Sequence, residues 1–190
     1  MQKPNGYDEV QVGGDFTPVE LGGHHLIIKA VKEQNNKNGD PMIVVAFDFA
    51  KNDKQPNYFS DLFDKDIRPE KKWPFNGTQY INTMDSKDKT KTSKSFKSFI
   101  TAFERSNNTA AVWGDTFCDQ FKDKKIGGVF GVVEEEYNGE IKKRHRLRWF
   151  CEDDRVDSAN IPEPKLLANT SSTTPGFTNI PIGTDEEIPF

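Results

Sequence analysis

The chain has 190 residues and a formal net charge of -4. That length suits one domain of about 150 residues with a real core, fed by many Phe residues, and the near-neutral charge excludes a strongly basic wrapper of duplex DNA without excluding a single-strand binder that uses one local groove. No stretch forms the apolar core of a signal peptide or a membrane span, which predicts a cytoplasmic protein with no membrane partner, and Cys118 and Cys151 read as packed thiols rather than a disulfide.

Residues 1–20 form a loosely ordered lead-in, broken by Gly13-Gly14 and Pro18. From His24, the stretch HHLIIKAVKEQ places Leu26, Ile28 and Ala30 on one side of a period-2 pattern and predicts a first strand. Asn and Gly around residues 35–40 supply a turn, and PMIVVAFDFAK from Pro41 to Lys51 is the second strand of a hairpin. A third strand is expected from Asn57 to about Phe63, through Tyr58, Phe59, Leu62 and Phe63.

A long polar connection follows, DKDIRPEKKWPFNGTQYINTMDSKDKTKTSK, longer than a compact domain tolerates without a reason. Cations and rings alternate in it: Arg68, Lys71, Lys72, Trp73, Phe75 and Tyr80. Thr92-Ser93 then open a helix whose Phe96, Phe99, Ile100 and Phe103 make one apolar stripe, and Asn107-Asn108 stop it. A short amphipathic piece around Asp115 to Phe121 adds Trp113, Phe117 and Phe121 as anchors.

The last ordered unit is a hairpin: KIGGVFGVVEEEY, the turn Asn138-Gly139, and EIKKRHRLRWF. Gly127, Gly128 and Gly131 weaken its first strand unless the backbone must bend sharply or approach another chain closely, as at a barrel corner. On its second strand, strict alternation puts Lys142, Arg144, Arg146 and Arg148 on one face and Lys143, His145, Leu147 and Trp149 on the other. Cations about 7 Å apart approximate the phosphate spacing of an extended single strand. An edge strand guarded by charge would look the same, but the row is expected to have no acidic partner, since Glu134-Glu135-Glu136 fall at the other end of the hairpin. Trp73, Phe75, Tyr80, Tyr137 and Trp149 are the candidate base-stacking rings.

From Ser158 to Thr184 the sequence is rich in Ser, Thr, Asn, Pro and Gly and has no sustained period, which predicts a flexible linker spanning about 25–30 Å. It ends in Asp185-Glu186-Glu187-Ile188-Pro189-Phe190, where three carboxylates run into an apolar hook. Three of the four net negative charges lie from Ser158 onward. The expected organisation is therefore a lead-in over 1–20, a body over 21–157, a linker over 158–184 and an acidic tip over 185–190.

Three strands, a helix and two strands is the arrangement of the OB-fold, a partly open five-stranded barrel that binds oligonucleotides; a generic five-stranded α+β sheet gives the same string. The expected class is mainly β, an OB-like barrel with one helix between strands three and four and a disordered C-terminal tail. The DEEIPF end resembles the acidic tip of bacterial single-stranded-DNA-binding proteins, which recruits replication, recombination and repair enzymes. With GDPMIVVAFDF, KKWPFNGTQY, the Phe-striped helix and VFGVVEEEY–RWF, most of the chain is similar to phage-encoded single-stranded-DNA-binding proteins from viruses of Gram-positive bacteria. That resemblance implies a non-enzymatic coat on phage DNA in a bacterial host cell, with Asp185 to Phe190 binding host or phage replication and recombination proteins. It implies no cofactor and leaves self-association open.

Competing readings are a protein–protein adaptor, a strand-annealing factor, and a metal-dependent nuclease using Glu70-Lys71-Lys72 with Asp61, Asp64 and Asp66. His24, His25, His145, Cys118 and Cys151 show no ligand-pair spacing, so no metal site is expected from them.

Overall fold

A computed structural model describes Lys3 and residues 17–167. The acidic tip, most of the linker and most of the lead-in lie outside the described residues. Five antiparallel strands form one sheet in the order β3-β2-β1-β4-β5. These are β1 (Gly22–Asn35), β2 (Pro41–Phe49), β3 (Thr78–Asn82), β4 (Lys125–Tyr137) and β5 (Glu140–Cys151), with helices α1 (Tyr58–Asp64) and α2 (Lys94–Asn107). Among the described residues no ladder joins β3 to β5, so the sheet is not closed into the expected barrel. No helix among them is long and apolar enough to cross a membrane.

The stretch expected as the third strand is helix α1. Tyr58, Phe59, Leu62 and Phe63 recur at helical spacing, and only Phe59 is fully buried. What selects the helix is a residue on another element. The Asp48 carboxylate on β2, 2% exposed, accepts from the Phe59 N–H at 2.8 Å and the Ser60 N–H at 3.2 Å, capping the first turn. Asn57 ahead of it takes a left-handed φ of 55°, which Asn tolerates. The actual third strand, β3, sits inside the polar connection and runs along β2 with Val44 opposite Tyr80 and Ile43 opposite Ile81.

The other expected elements form close to where they were placed. In α2, Ser93 caps the helix by accepting from the Phe96 N–H, and Phe96, Phe99, Ile100 and Phe103 are buried as one stripe. Phe99 meets Phe150 at 5.1 Å and Phe121 at 5.3 Å between ring centroids, locking the helix to the end of β5. Phe117 and Phe121 are buried beside it, whereas Trp113 lies on the surface, stacked on Phe117. The last residues of the lead-in are tied down: Val19 is 2% exposed in the core, and the Thr17 carbonyl accepts from the Tyr58 hydroxyl at 2.7 Å.

Two glycines record where the chain after β5 crosses the sheet. A Cβ on Gly23 would lie 2.1 Å from the Val156 carbonyl oxygen, and one on Gly131 would lie 2.5 Å from Pro162 Cγ. Gly127 and Gly131 of β4 thus admit a later segment of the same chain rather than another chain, while Gly128 makes room for the Leu26 and Leu147 side chains. That segment then fills the free edge of β4: the Lys165 N–H donates to the Val132 carbonyl and the Glu134 N–H to the Lys165 carbonyl, both at 2.9 Å. So residues 158–167, the start of the expected linker, are described and lie against the sheet, while residues 168–184 lie outside the described residues.

Candidate nucleic-acid interface

The β4–β5 hairpin builds the surface. Asn138 and Gly139 both take positive φ, 52° and 78°, as a two-residue hairpin turn requires. Register then places Lys142 opposite Glu135, Arg144 opposite Val133 and Arg146 opposite Gly131, and residues directly opposite one another share a face. Strict alternation fails beyond that point. Leu147 pairs with Phe130 but Trp149 pairs with Val129, so Arg148 is the extra residue of a bulge. The bulge keeps Leu147 and Phe150 in the core and turns Trp149, 45% exposed, onto the face of Arg146, Arg144 and Lys142 rather than the opposite one.

The four cations of the row play different parts. The Arg144 side chain is exposed, and its charge helps to keep Glu135 ionised. Lys142 lies 5.7 Å from the Tyr137 ring centroid and 3.2 Å from the Glu140 carboxylate, at the exposed tip. Arg148 donates to the Glu163 carbonyl at 2.9 Å and sits under the crossing segment. Two cations of the row have acidic partners, contrary to expectation: Lys142 pairs with Glu140, and Arg146 donates from Nε and Nη2 to the two Glu135 oxygens, each at 2.7 Å. The Arg146 and Glu135 side chains are long enough to run along the strand past Val133 and Arg144, which residue spacing alone does not show. The Arg146 hydrogen bonds, opposed in part by burial, hold the Glu135 carboxyl below the usual glutamate range.

Arg146 also joins the two ends of the sheet. Its guanidinium carbon lies 4.6 Å from the centroid of Phe75, in the short turn that leads into β3. The Phe75 and Tyr80 rings are 6.2 Å apart and inclined at 37°. Phe75 is 62% exposed and Tyr80 36%. One ring of the middle connection, Phe75, thus meets the cation row of the last hairpin at Arg146, and the Tyr80 ring lies beside it.

The remaining connection residues do local work. Arg68 grips the Asp66 carboxylate with Nε and Nη2, which holds that acid at about 2. Lys71 donates to the Asp64 carbonyl at 2.9 Å. Trp73 donates from Nε1 to the Gly77 carbonyl at 3.0 Å and packs on Phe63 at 5.7 Å, fastening the turn to α1. Lys72 is half-buried. Tyr137, 62% exposed, stands at the hairpin tip with Lys142.

No three His, Cys, Asp or Glu residues among the described residues converge on a metal-sized point, Asp61, Asp64, Asp66 and Glu70 included. The histidines face oxygens instead: His24 meets Asp53 at 2.9 Å, His25 meets Asp153 at 2.7 Å, and His145 meets the Val19 carbonyl. A second ring surface, missed in the sequence, lies elsewhere. Met42, Met84, Phe96, Trp113 and Phe117 line an open groove of about 520 Å³ between α2 and the turn end of the first hairpin.

No protein-family model matches the chain, and no curated protein matches it either.

Proposed function

We propose that this chain binds single-stranded DNA with little regard to sequence and serves phage DNA replication and recombination. The observation that carries this is an exposed ring pair, Phe75 and Tyr80, held against Arg146 in a row of cations that runs on along β5 through Arg144 to Lys142. Rings stack on any base and cations follow the backbone, a combination that binds strands without reading them. The strand order supports an OB-like body: it is that of such a barrel with one seam open, and the seam lies where Phe75 meets Arg146. The tip, Asp185 to Phe190, recruits replication and recombination enzymes in this reading, on the strength of its resemblance. Tethering raises the effective concentration of whatever it captures, so a weak contact suffices.

Titration of a fluorescent oligo-dT, and of a matching duplex, at about 50 and 200 mM salt tests the reading. With roughly three to five phosphates neutralised, single-strand affinity should fall about twentyfold to a hundredfold across that range, with the duplex weaker throughout. Arg144→Ala should lower the salt slope by about 0.7, one phosphate's share. A salt-independent signal, or a duplex bound as tightly as the single strand, would remove the reading in favour of an adaptor. A chain ending at Thr184 should keep its DNA affinity or gain some, because an acidic competitor for the cations is gone, while losing co-sedimentation of replication enzymes with coated DNA. Loss of DNA binding in that truncated chain would refute this division of labour.

A further inference from the structure

We propose that Glu135 and Arg146 are positioning residues that hold the Phe75 ring for base stacking, so that an acidic side chain on the binding face strengthens single-strand affinity; this rests on the single-strand reading above. Glu135 takes both Nε and Nη2 of Arg146, the fork through which an arginine would grip a phosphate. The third nitrogen, Nη1, is buried and has no hydrogen-bond partner among the described residues, and the side chain is only 18% exposed. Arg146 is therefore poorly disposed to neutralise phosphate. What it offers is a fixed planar surface 4.6 Å from the Phe75 centroid.

Phe75 needs that surface. It belongs to a three-residue turn, Phe75–Gly77, at the edge of the sheet away from β5, and among the described residues no backbone ladder ties β3 to β5. The orientation of an exposed ring in such a turn depends on its side-chain neighbours, here Arg146 on β5 and Tyr80 on β3. An arginine released from its carboxylate samples many rotamers, and the ring loses its support; a ring fixed beforehand binds more tightly because less order is lost on binding.

Two effects of removing Glu135 oppose each other. Deleting a negative charge beside phosphates favours binding, by a few-fold at most for a screened surface charge. Loosening a stacking ring weakens binding by up to the worth of one stack, about fivefold to more than a hundredfold. The second effect is the larger.

The experiment uses the full chain, with an oligo-dT of about thirty bases and an abasic strand of the same length, which keeps phosphates and sugars but offers nothing to stack. Glu135→Ala should bind oligo-dT about tenfold more weakly, bind the abasic strand equally or up to a few-fold more tightly, and keep its salt slope. Adding Phe75→Ala should cost little more, since both substitutions disable one stack. Arg146→Lys keeps the charge but loses the fork and the planar face, and should behave like Glu135→Ala. Glu135→Gln retains an acceptor for Arg146 and should fall in between; it and Arg146→Lys carry the test if Glu135→Ala fails to fold. Tighter binding by Glu135→Ala with a steeper salt slope would overturn the inference, as would an equal loss on both strands. If the unsubstituted chain bound neither strand, the single-strand reading itself would fall and this inference with it.

Discussion

Replacing Phe75 and Tyr80 together by alanine should weaken oligo-dT binding about a thousandfold, taking two base stacks at about 2 kcal/mol each. The folded state should hardly change. Phe75 is 62% exposed and Tyr80 36%, so neither leaves a sealed cavity behind. The salt slope should survive intact, because phosphates contact cations and the rings contact bases. That combination, large loss with unchanged slope and unchanged melting temperature, separates stacking from a general disturbance of the face. A loss below about threefold would mean that bases do not lie on these rings. The strand would then have to follow Tyr137 and Trp149 along the hairpin, the other exposed rings beside the cations.

The second large effect is on stability. Asp48→Ala should lower the unfolding free energy by about 3 kcal/mol and the melting temperature by roughly 6–12 °C for a domain of this size. Asp48 is 2% exposed and receives hydrogen bonds from the Phe49, Phe59 and Ser60 N–H groups and from the Ser60 hydroxyl. Removing the carboxylate leaves buried donors without acceptors, a cost of about 1–3 kcal/mol for each one not reached by water. Asp48→Asn keeps one acceptor oxygen and should lie between. The damage should also spread to the binding face, because α1 carries Phe63, Trp73 packs on Phe63, and Phe75 follows two residues later. Calorimetry of the two variants decides the matter: a loss under about 1 kcal/mol for Asp48→Ala would show that α1 needs no cap from β2.

Local patterns made much of the architecture legible in the sequence. The stripe of Phe96, Phe99, Ile100 and Phe103, with Ser93 before it and Asn108 after, determined α2, because apolar period and caps act over a single turn. Asn138-Gly139 determined the last hairpin, since two adjacent residues with positive φ leave the chain one way to return. The pattern of alternation along Lys142, Arg144 and Arg146 likewise marked one face of β5.

Other features were decided only by tertiary structure, wherever the deciding group belonged to a distant residue. Whether Tyr58 to Asp64 is strand or helix rested on the Asp48 carboxylate, supplied by the neighbouring strand β2. Strand β3 has too few residues to show a clear period, and its partner on β2 is what fixes it. The bulge at Arg148 moved Trp149 to the cation face, and nothing in the order of residues signals that shift, because a bulge is set by the fit between paired strands. The approach of Arg146 to Phe75 needed the two edges of the sheet to be brought together, β5 at one end of the strand order and the turn into β3 at the other. Residue type and period thus determined which surfaces this chain would make, and long-range packing decided which of their side chains stand free to bind and which hold the others in place.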